Sequence, residues 1–290
     1  DRGYADANVE AEVADGDGAL PVVFRVKAGV QTQVAAVAVD SPVTLPADIA
    51  ARELRTRAGQ AYRVRDLARD RDGLIASYRD AGYPQVEVAP DIVMSPDRRQ
   101  ATVRFRVLPG ARIEVDHVVL AGLHRTSEAV LRRELRLAEG EPLGLSRVLD
   151  SQRRLGSLGL FQKIAITELD PEAEGKRSVV VAVEEAPLTN LGYGLGYAEQ
   201  DQLRFSVDLT RRNLFGMDRS LSTFARVSFK SSRLLATYRE PYLLGRKQEL
   251  LFTAFREEAE RPYYSFVRYG TTLQTARSLT ASWKLIARYT

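Results

Sequence analysis

Phe105-Arg106-Val107-Leu108-Pro109-Gly110 restates Phe24-Arg25-Val26-Lys27-Ala28-Gly29, and the interval between the two organises most of the chain. Arg52-Glu53-Leu54 returns as Arg133-Glu134-Leu135, and Gly59 returns as Gly140, all at one shared offset of 81 residues. Gly3-Tyr4 matches Gly82-Tyr83 and, more loosely, Gly159-Leu160-Phe161 at nearly the same period. Self-similarity that keeps one register across three motifs marks a repeat architecture.

Each unit reads strand, helix, helix, strand, strand. In the complete first copy, residues 33–110, Val34–Asp40 is a short apolar strand. Pro46 suits the first turn of a helix, where a missing N–H is harmless, and that helix is predicted to run to about Arg55. A second helix carries Val64, Leu67, Leu74, Ile75 and Tyr78 on one stripe. It stops at Gly82 with Pro84 just beyond, a normal helix ending. Strands near Val86–Met94 and Ala101–Leu108, joined by Ser95-Pro96-Asp97, close the unit. The second copy, residues 111–187, has strands at Ile113–Leu120, Lys163–Leu169 and Ser178–Glu184, with helices near Ser127–Leu137 and Ser146–Leu158. Residues 1–32 read as the tail of an earlier copy. A three-stranded sheet carrying two helices leaves at least one unpaired edge. Two readings of such edges stand side by side: acceptors of an extended peptide through backbone hydrogen bonds, or spacers protected by charge.

After Pro187 the period changes to strict alternation. Leu203, Phe205, Val207 and Leu209 interleave with Arg204, Ser206, Asp208 and Thr210. Leu221, Thr223, Ala225, Val227 and Phe229 do the same, as do Val267, Tyr269, Thr271 and Leu273, and a last strand is predicted over Leu279–Thr290. Tight turns fall at Asn213–Gly216, Pro241–Gly245 and Arg277-Ser278. More polar links fall at Ala198–Gln202, Lys230–Ser232 and Glu257–Pro262. One apolar face, one polar face and hairpin after hairpin is the cumulative signature of an outer-membrane β-barrel, with strands about as long as the roughly 9–11 residues of a tilted bilayer crossing. A soluble sandwich also alternates. Mid-strand Arg, Lys and Asp on the polar face, and aromatics near strand ends (Tyr193, Tyr197, Phe229, Tyr289), favour the barrel.

Composition narrows the chemistry. The 290 residues contain no cysteine and two histidines, so disulfide scaffolds, thiolate metal sites and cysteine nucleophiles are excluded. Lys+Arg 42 against Asp+Glu 38 gives a mild +4, spread along the chain in pairs such as Arg132-Arg133 and Arg211-Arg212, so no nucleic-acid partner is expected. No apolar run approaches the roughly 18 residues of a membrane helix. The chain opens at Asp1 without a basic or apolar leader, so a signal peptide is either absent or already removed. Gly192-Tyr193-Gly194-Leu195-Gly196 is not a dinucleotide fingerprint, because Tyr197 and no helix follow. Adjacent Glu184 and Glu185 point to opposite faces of a strand, and His117 and His124 lack Ser/Asp companions. The chain reads as no enzyme, with no cofactor and no metal.

This combination resembles the outer-membrane protein assembly factors of the surface-antigen superfamily, the BamA/TamA-like proteins. The repeats resemble POTRA domains, of β-α-α-β-β order, and residues 188–290 resemble the N-terminal part of the superfamily's antiparallel transmembrane β-barrel. Leu191–Tyr197 is similar to its glycine-rich first barrel strand, Arg212-Asn213-Leu214-Phe215-Gly216 to the turn after the second, and Tyr238-Arg239-Glu240-Pro241-Tyr242 to the end of the fourth. Asp218 stands where many relatives have glycine. No Arg-Gly-Phe/Tyr motif lies in the barrel part (Arg2-Gly3-Tyr4 is in the repeats), and Thr290 ends no terminal aromatic strand. About seven strands follow Pro187, an odd number, whereas bacterial single-chain barrels close with an even one. The sequence is therefore expected to be a piece of a longer protein whose barrel has sixteen strands.

The resemblance implies insertion of unfolded outer-membrane protein clients, with periplasmic chaperones or accessory assembly proteins and outer-membrane lipid as partners. It places the protein in the bacterial outer membrane with its POTRA repeats in the periplasm. The edges that would add a client strand are Val86–Met94, represented by Val86 and Val88, and Ile164–Leu169, represented by Ile164, Ile166 and Glu168. Gly192, Gly194 and Gly196, on the polar face of the first barrel strand, would form a weak lateral seam, since interior glycine weakens a strand; relief of crowding in the lumen explains them equally. The competing functions are a polypeptide export pore of the same superfamily and a soluble periplasmic peptide-binding module.

Overall fold

The computed structural model describes residues 3, 4, 7–13, 22–45, 54–169, 174–199, 202–280 and 282–290. An antiparallel hairpin, β1 (Asn8–Val13) and β2 (Val22–Lys27), comes first. The first complete repeat holds β3 (Gln33–Asp40), α1 (Val64–Asp80), β4 (Glu87–Met94) and β5 (Gln100–Leu108), in sheet order β3-β5-β4 with β3 parallel and β4 antiparallel to β5. The helix predicted from Pro46 lies outside the described residues up to residue 53, and Leu54 and Arg55 are not helical. The second repeat holds β6 (Glu114–Ala121), α2 (Glu128–Arg132), α3 (Leu145–Ser157), β7 (Phe161–Glu168) and β8 (Lys176–Glu185), in sheet order β6-β8-β7. The chain divides into two compact units, one built on the first repeat and the other containing the large C-terminal sheet.

Strand β5 shows why the repeat folds. Ala101, Val103, Phe105 and Val107 are all buried while the residues between them are exposed, so period 2 delivers one face to the core. Val34, Tyr62, Leu67, Tyr78, Val86 and Val88 complete that cluster. Burying a side chain such as Phe105 stabilises by about 1.5–3 kcal/mol.

A buried polar clasp accompanies each core. Asp70 on α1 accepts the backbone N–H groups of Arg55 at 2.7 Å and Thr56 at 2.8 Å. At the offset of 81 residues, buried Ser151 on α3 accepts the N–H of Arg136 at 2.7 Å. The Gly-Tyr repeat also gains a cause. The Gly3 carbonyl accepts the Thr32 N–H and the Gly82 carbonyl accepts the Ile113 N–H, both at 2.7 Å, so each glycine ties its unit to the start of the next. Gly82 has φ +92° and a Cβ there would lie 2.8 Å from the Ile113 carbonyl oxygen, which no other residue tolerates.

The C-terminal sheet has seven strands: β9 (Thr189–Ala198), β10 (Gln202–Leu214), β11 (Arg219–Ser228), β12 (Ser231–Glu240), β13 (Glu249–Arg261), β14 (Tyr264–Ser278) and β15 (Lys284–Tyr289). Each pairs antiparallel with its sequence neighbours, and β9 and β15 stand at opposite edges, so the sheet is open. One face is apolar and exposed, with Leu191, Tyr193, Leu195 and Tyr197 on β9 beside Leu203, Phe205 and Leu209 on β10. The other carries Arg204, Ser206, Asp208 and Thr210.

Several boundaries differ from the sequence reading; the Lys230–Ser232 link, for one, overlaps β12, which begins at Ser231. Glu257–Pro262 is no link, because β13 runs to Arg261, which pairs with Tyr264 around a two-residue turn. Arg277-Ser278 is no turn: β14 continues through Ser278, and the last strand starts at Lys284 instead of Leu279. In both places ladder hydrogen bonds, invisible to a polarity pattern, carry charged residues as extended strand. Helix α2 stops at Arg132 instead of Leu137, because the residues after it turn to meet other groups, described next.

Candidate functional site

The three glycines of β9 lie directly opposite polar side chains of β10: Gly192 with Asp208, Gly194 with Ser206 and Gly196 with Arg204. A Cβ at Gly192 would collide with the Asp208 carboxylate, one at Gly194 would lie 3.0 Å from Ser206 Oγ, and one at Gly196 2.9 Å from Arg204 Nε. Glycine there makes room for the β10 side chains on the polar face. The same strand hydrogen-bonds on one side only, leaving its other edge without a partner among the described residues.

The repeat edges are β4 and β7 on one side of their sheets, β3 and β6 on the other. Val88 lies on β4 but its side chain is buried in the core, and Val86 lies one residue before the strand, also buried. Any strand added at β4 would meet backbone and the exposed side chains of Ala89 and Val93 instead. On β7, Ile164 and Ile166 are half-buried and Glu168 is exposed.

The most elaborate polar arrangement joins the second repeat to the C-terminal sheet. Glu134, just past α2 and 3% exposed, accepts a hydrogen bond from the Tyr242 hydroxyl at 2.6 Å and pairs with Arg154 of α3 at 2.9 Å. The Arg133 guanidinium lies 3.8 Å over the Tyr242 ring and 3.4 Å from Asp218 Oδ2. Asp218 is buried in the β10–β11 turn, where Asn213 Oδ1 accepts its N–H at 3.0 Å. Asn213 Nδ2 in turn donates to Thr126 Oγ1 at 2.8 Å. The Gly216 carbonyl accepts the Ser127 N–H at 2.9 Å. Gly216 has φ +71°, and a Cβ would sit 2.7 Å from the Arg125 carbonyl oxygen.

The electrostatics follow from this crowding. Burial, with help from Glu134 and Glu240, pushes Asp218 up to about 6 against the pull of Arg239 and Arg133. Burial and the bond to Glu134 raise the Tyr242 phenol to about 12. Glu185, at the end of β8, is pushed up by burial but pulled down further by the Thr126 hydroxyl and by the N–H groups of Arg125, Thr126 and His124. Its carboxylate accepts the Thr126 N–H at 2.8 Å and the Arg125 N–H at 3.0 Å. Glu185 is thus a loop anchor.

Sequence reasoning found the pieces of this joint only as motifs. In the sequence Arg133-Glu134 is a repeat marker and Tyr242 stands at a strand end, and nothing local tells that they meet. His117 lies exposed, 3.4 Å from Glu139. Among the described residues no group of three His, Asp or Glu side chains is placed to hold a metal, and no helix is long and apolar enough to cross a membrane.

Comparison with known proteins agrees with this architecture. The POTRA family, surface antigen variable number repeat, matches residues 33–110 and 113–186. Outer membrane protein assembly factor BamA of Neorickettsia risticii is 25% identical over 236 residues, covering 80% of this chain and 31% of its own length. BamA of Nitratidesulfovibrio vulgaris is 27% identical over 250 residues, covering 83% and 31%. This chain thus spans about a third of those relatives. The crystal structure of BamA from Haemophilus ducreyi lacking POTRA domains 1–3 superposes with a TM-score of 0.66 at 22% identity, covering 83% of this chain and 47% of that one, which shows a shared fold. Two repeats, matched over more than half of the sequence, make the chain a member of the POTRA family of surface antigen repeats.

Proposed function

We propose that this chain is the POTRA and leading-strand portion of a factor that assembles and inserts β-barrel proteins into the bacterial outer membrane. The observation that carries the reading is the seven-stranded antiparallel sheet, with one exposed apolar face, placed directly after two POTRA units. In the outer membrane the apolar face of β9–β15 meets lipid, and the POTRA repeats stand in the periplasm. Unfolded outer-membrane protein clients, delivered by periplasmic chaperones or accessory proteins, would add strands at the β4 and β7 edges through backbone hydrogen bonds. The β9 edge then acts as the lateral seam that templates client hairpins. Its three glycines leave the middle of β9 without side chains on the polar face, which weakens its hold on β10 and lets it bend away.

The test is client insertion by the full-length protein in liposomes, read by protease protection, with the folded fraction of the factor read separately. Replacing Gly192, Gly194 and Gly196 with alanine should slow insertion per folded molecule. Insertion that falls only in step with the folded fraction would leave crowding as the glycines' whole role and remove the seam.

A further inference from the structure

One register row crosses the polar face of the large sheet as Gly194, Ser206, Arg226, Arg233, Glu257 and Arg268, one residue from each of β9 to β14. Arg226 and Arg233 are direct cross-strand partners, an arrangement in which like charges repel. The row's one carboxylate, Glu257, is bonded by Arg268 at 2.6 Å, lies directly opposite Arg233 and also feels the charge of Arg233 and Arg226. Arg204 lies on the same face, opposite Gly196. Among the described residues, no carboxylate comes within 4.0 Å of Arg204, Arg226 or Arg233. The Nε of Arg233 is shut off from solvent and has no acceptor.

A sheet gains nothing by setting two guanidinium groups face to face and leaving one N–H buried without an acceptor. Elsewhere the fold sets clustered arginines beside a carboxylate, Arg133 and Arg154 with Glu134 and Arg219 with Glu240, although their Nε groups also lack an acceptor. The row's other end is small, Gly194 and Ser206. Guanidinium forks suit the paired oxygens of carboxylate and phosphate, which they bind bidentately.

We propose that Arg226 and Arg233, flanked by Arg204 and Arg268, form an oxyanion site on the polar face, near the β11–β12 turn. Its ligand is a carboxylate or a phosphate group. That oxyanion comes either from an acidic side chain elsewhere in the full-length protein or from a soluble phosphate. The site does not depend on client insertion, and its test does not measure insertion.

The experiment follows thermal unfolding of the full-length protein in detergent micelles, with inorganic phosphate against chloride at equal ionic strength. Wild type is compared with R226Q/R233Q and R226K/R233K. A soluble ligand predicts that phosphate raises the wild-type midpoint, that the glutamine pair abolishes the shift, and that the lysine pair retains part of it. Phosphate affinity should fall on the order of tenfold or more per lost fork, the range of a charged hydrogen bond. A carboxylate of the protein itself predicts no phosphate shift in wild type, with the glutamine pair melting lower and the lysine pair in between. Should the glutamine pair fail to fold, R226Q alone carries the same comparison. The proposal is overturned if phosphate has no effect and the glutamine variants melt at or above wild type, as relief of Arg–Arg repulsion alone would give. A phosphate shift equal in wild type and the glutamine variants overturns it too.

Discussion

Glu134→Ala tests whether the second repeat is fastened to the large sheet by the polar joint. The carboxylate is 3% exposed and accepts from Tyr242 at 2.6 Å while pairing with Arg154 at 2.9 Å. Removing it leaves the Arg154 guanidinium and the Tyr242 phenol without their acceptor, while Arg133 keeps Asp218. Deleting one partner of a buried ion pair costs about 3–5 kcal/mol. The Arg133 and Arg154 side chains keep 23% and 29% of their exposure, so water recovers part of that loss and the low end, about 3 kcal/mol, applies. Converted to a local opening equilibrium, that is roughly a hundredfold more open joint. Amide hydrogen exchange of the full-length protein reads it directly. The Ser127 amide, bound to the Gly216 carbonyl, and the Asp218 amide, bound to Asn213, should exchange roughly a hundredfold faster. Amides in mid-β12 and in β5 should not change. Exchange at Ser127 and Asp218 within about threefold of wild type would refute the view that Glu134 holds the joint.

Further outcomes follow from the same structure. Asp218 is raised to about 6 in the folded protein, so its stabilising contribution is full below the ordinary carboxylate range and is lost as pH climbs to about 6. Asp218→Asn should therefore flatten the pH dependence of joint opening between pH 4 and 6 and slow Ser127 exchange at pH 7; faster exchange at pH 7 would contradict the burial argument. Gly216→Ala places a Cβ 2.7 Å from the Arg125 carbonyl at φ +71° and should destabilise the turn by about 1–2 kcal/mol, read by exchange at Ser127. Asp70→Ala orphans the N–H groups of Arg55 and Thr56 and should lower the stability of the first repeat by about 1–3 kcal/mol in urea unfolding, with Asp70→Asn recovering part of it.

Much of the fold was legible because its signals are local or periodic. The offset of 81 residues, the burial of every second residue of β5 and the alternation after Pro187 each report a face, and faces decide layers. The Gly-Tyr marker proved to be the tie between units at Gly3 and Gly82, a role that repetition signals without explaining. What stayed hidden is set by pairing at a distance. Strands β13 and β14 extend through Glu257–Arg261 and Arg277-Ser278 because each finds ladder partners, although their polarity reads as links and turns. The joint is hidden for the same reason: Tyr242 and Glu134 are separated by 108 residues. Val86 reads as the start of an edge strand, but the strand begins one residue later and its apolar side chain serves the core.

The 290 residues contain no cysteine, so no native thiol of this part competes with an engineered one. Single cysteines at alternate positions of β9, from Asn190 to Gly196, and matched control cysteines on β12, are placed in the full-length protein. Each is then challenged with an arrested client carrying one cysteine in its last strand. A seam that templates client hairpins predicts disulfides at β9 positions, shifting in register by one residue for each residue moved on the client, and none on β12. Equal trapping on β9 and β12, or trapping on neither while insertion proceeds, would contradict it.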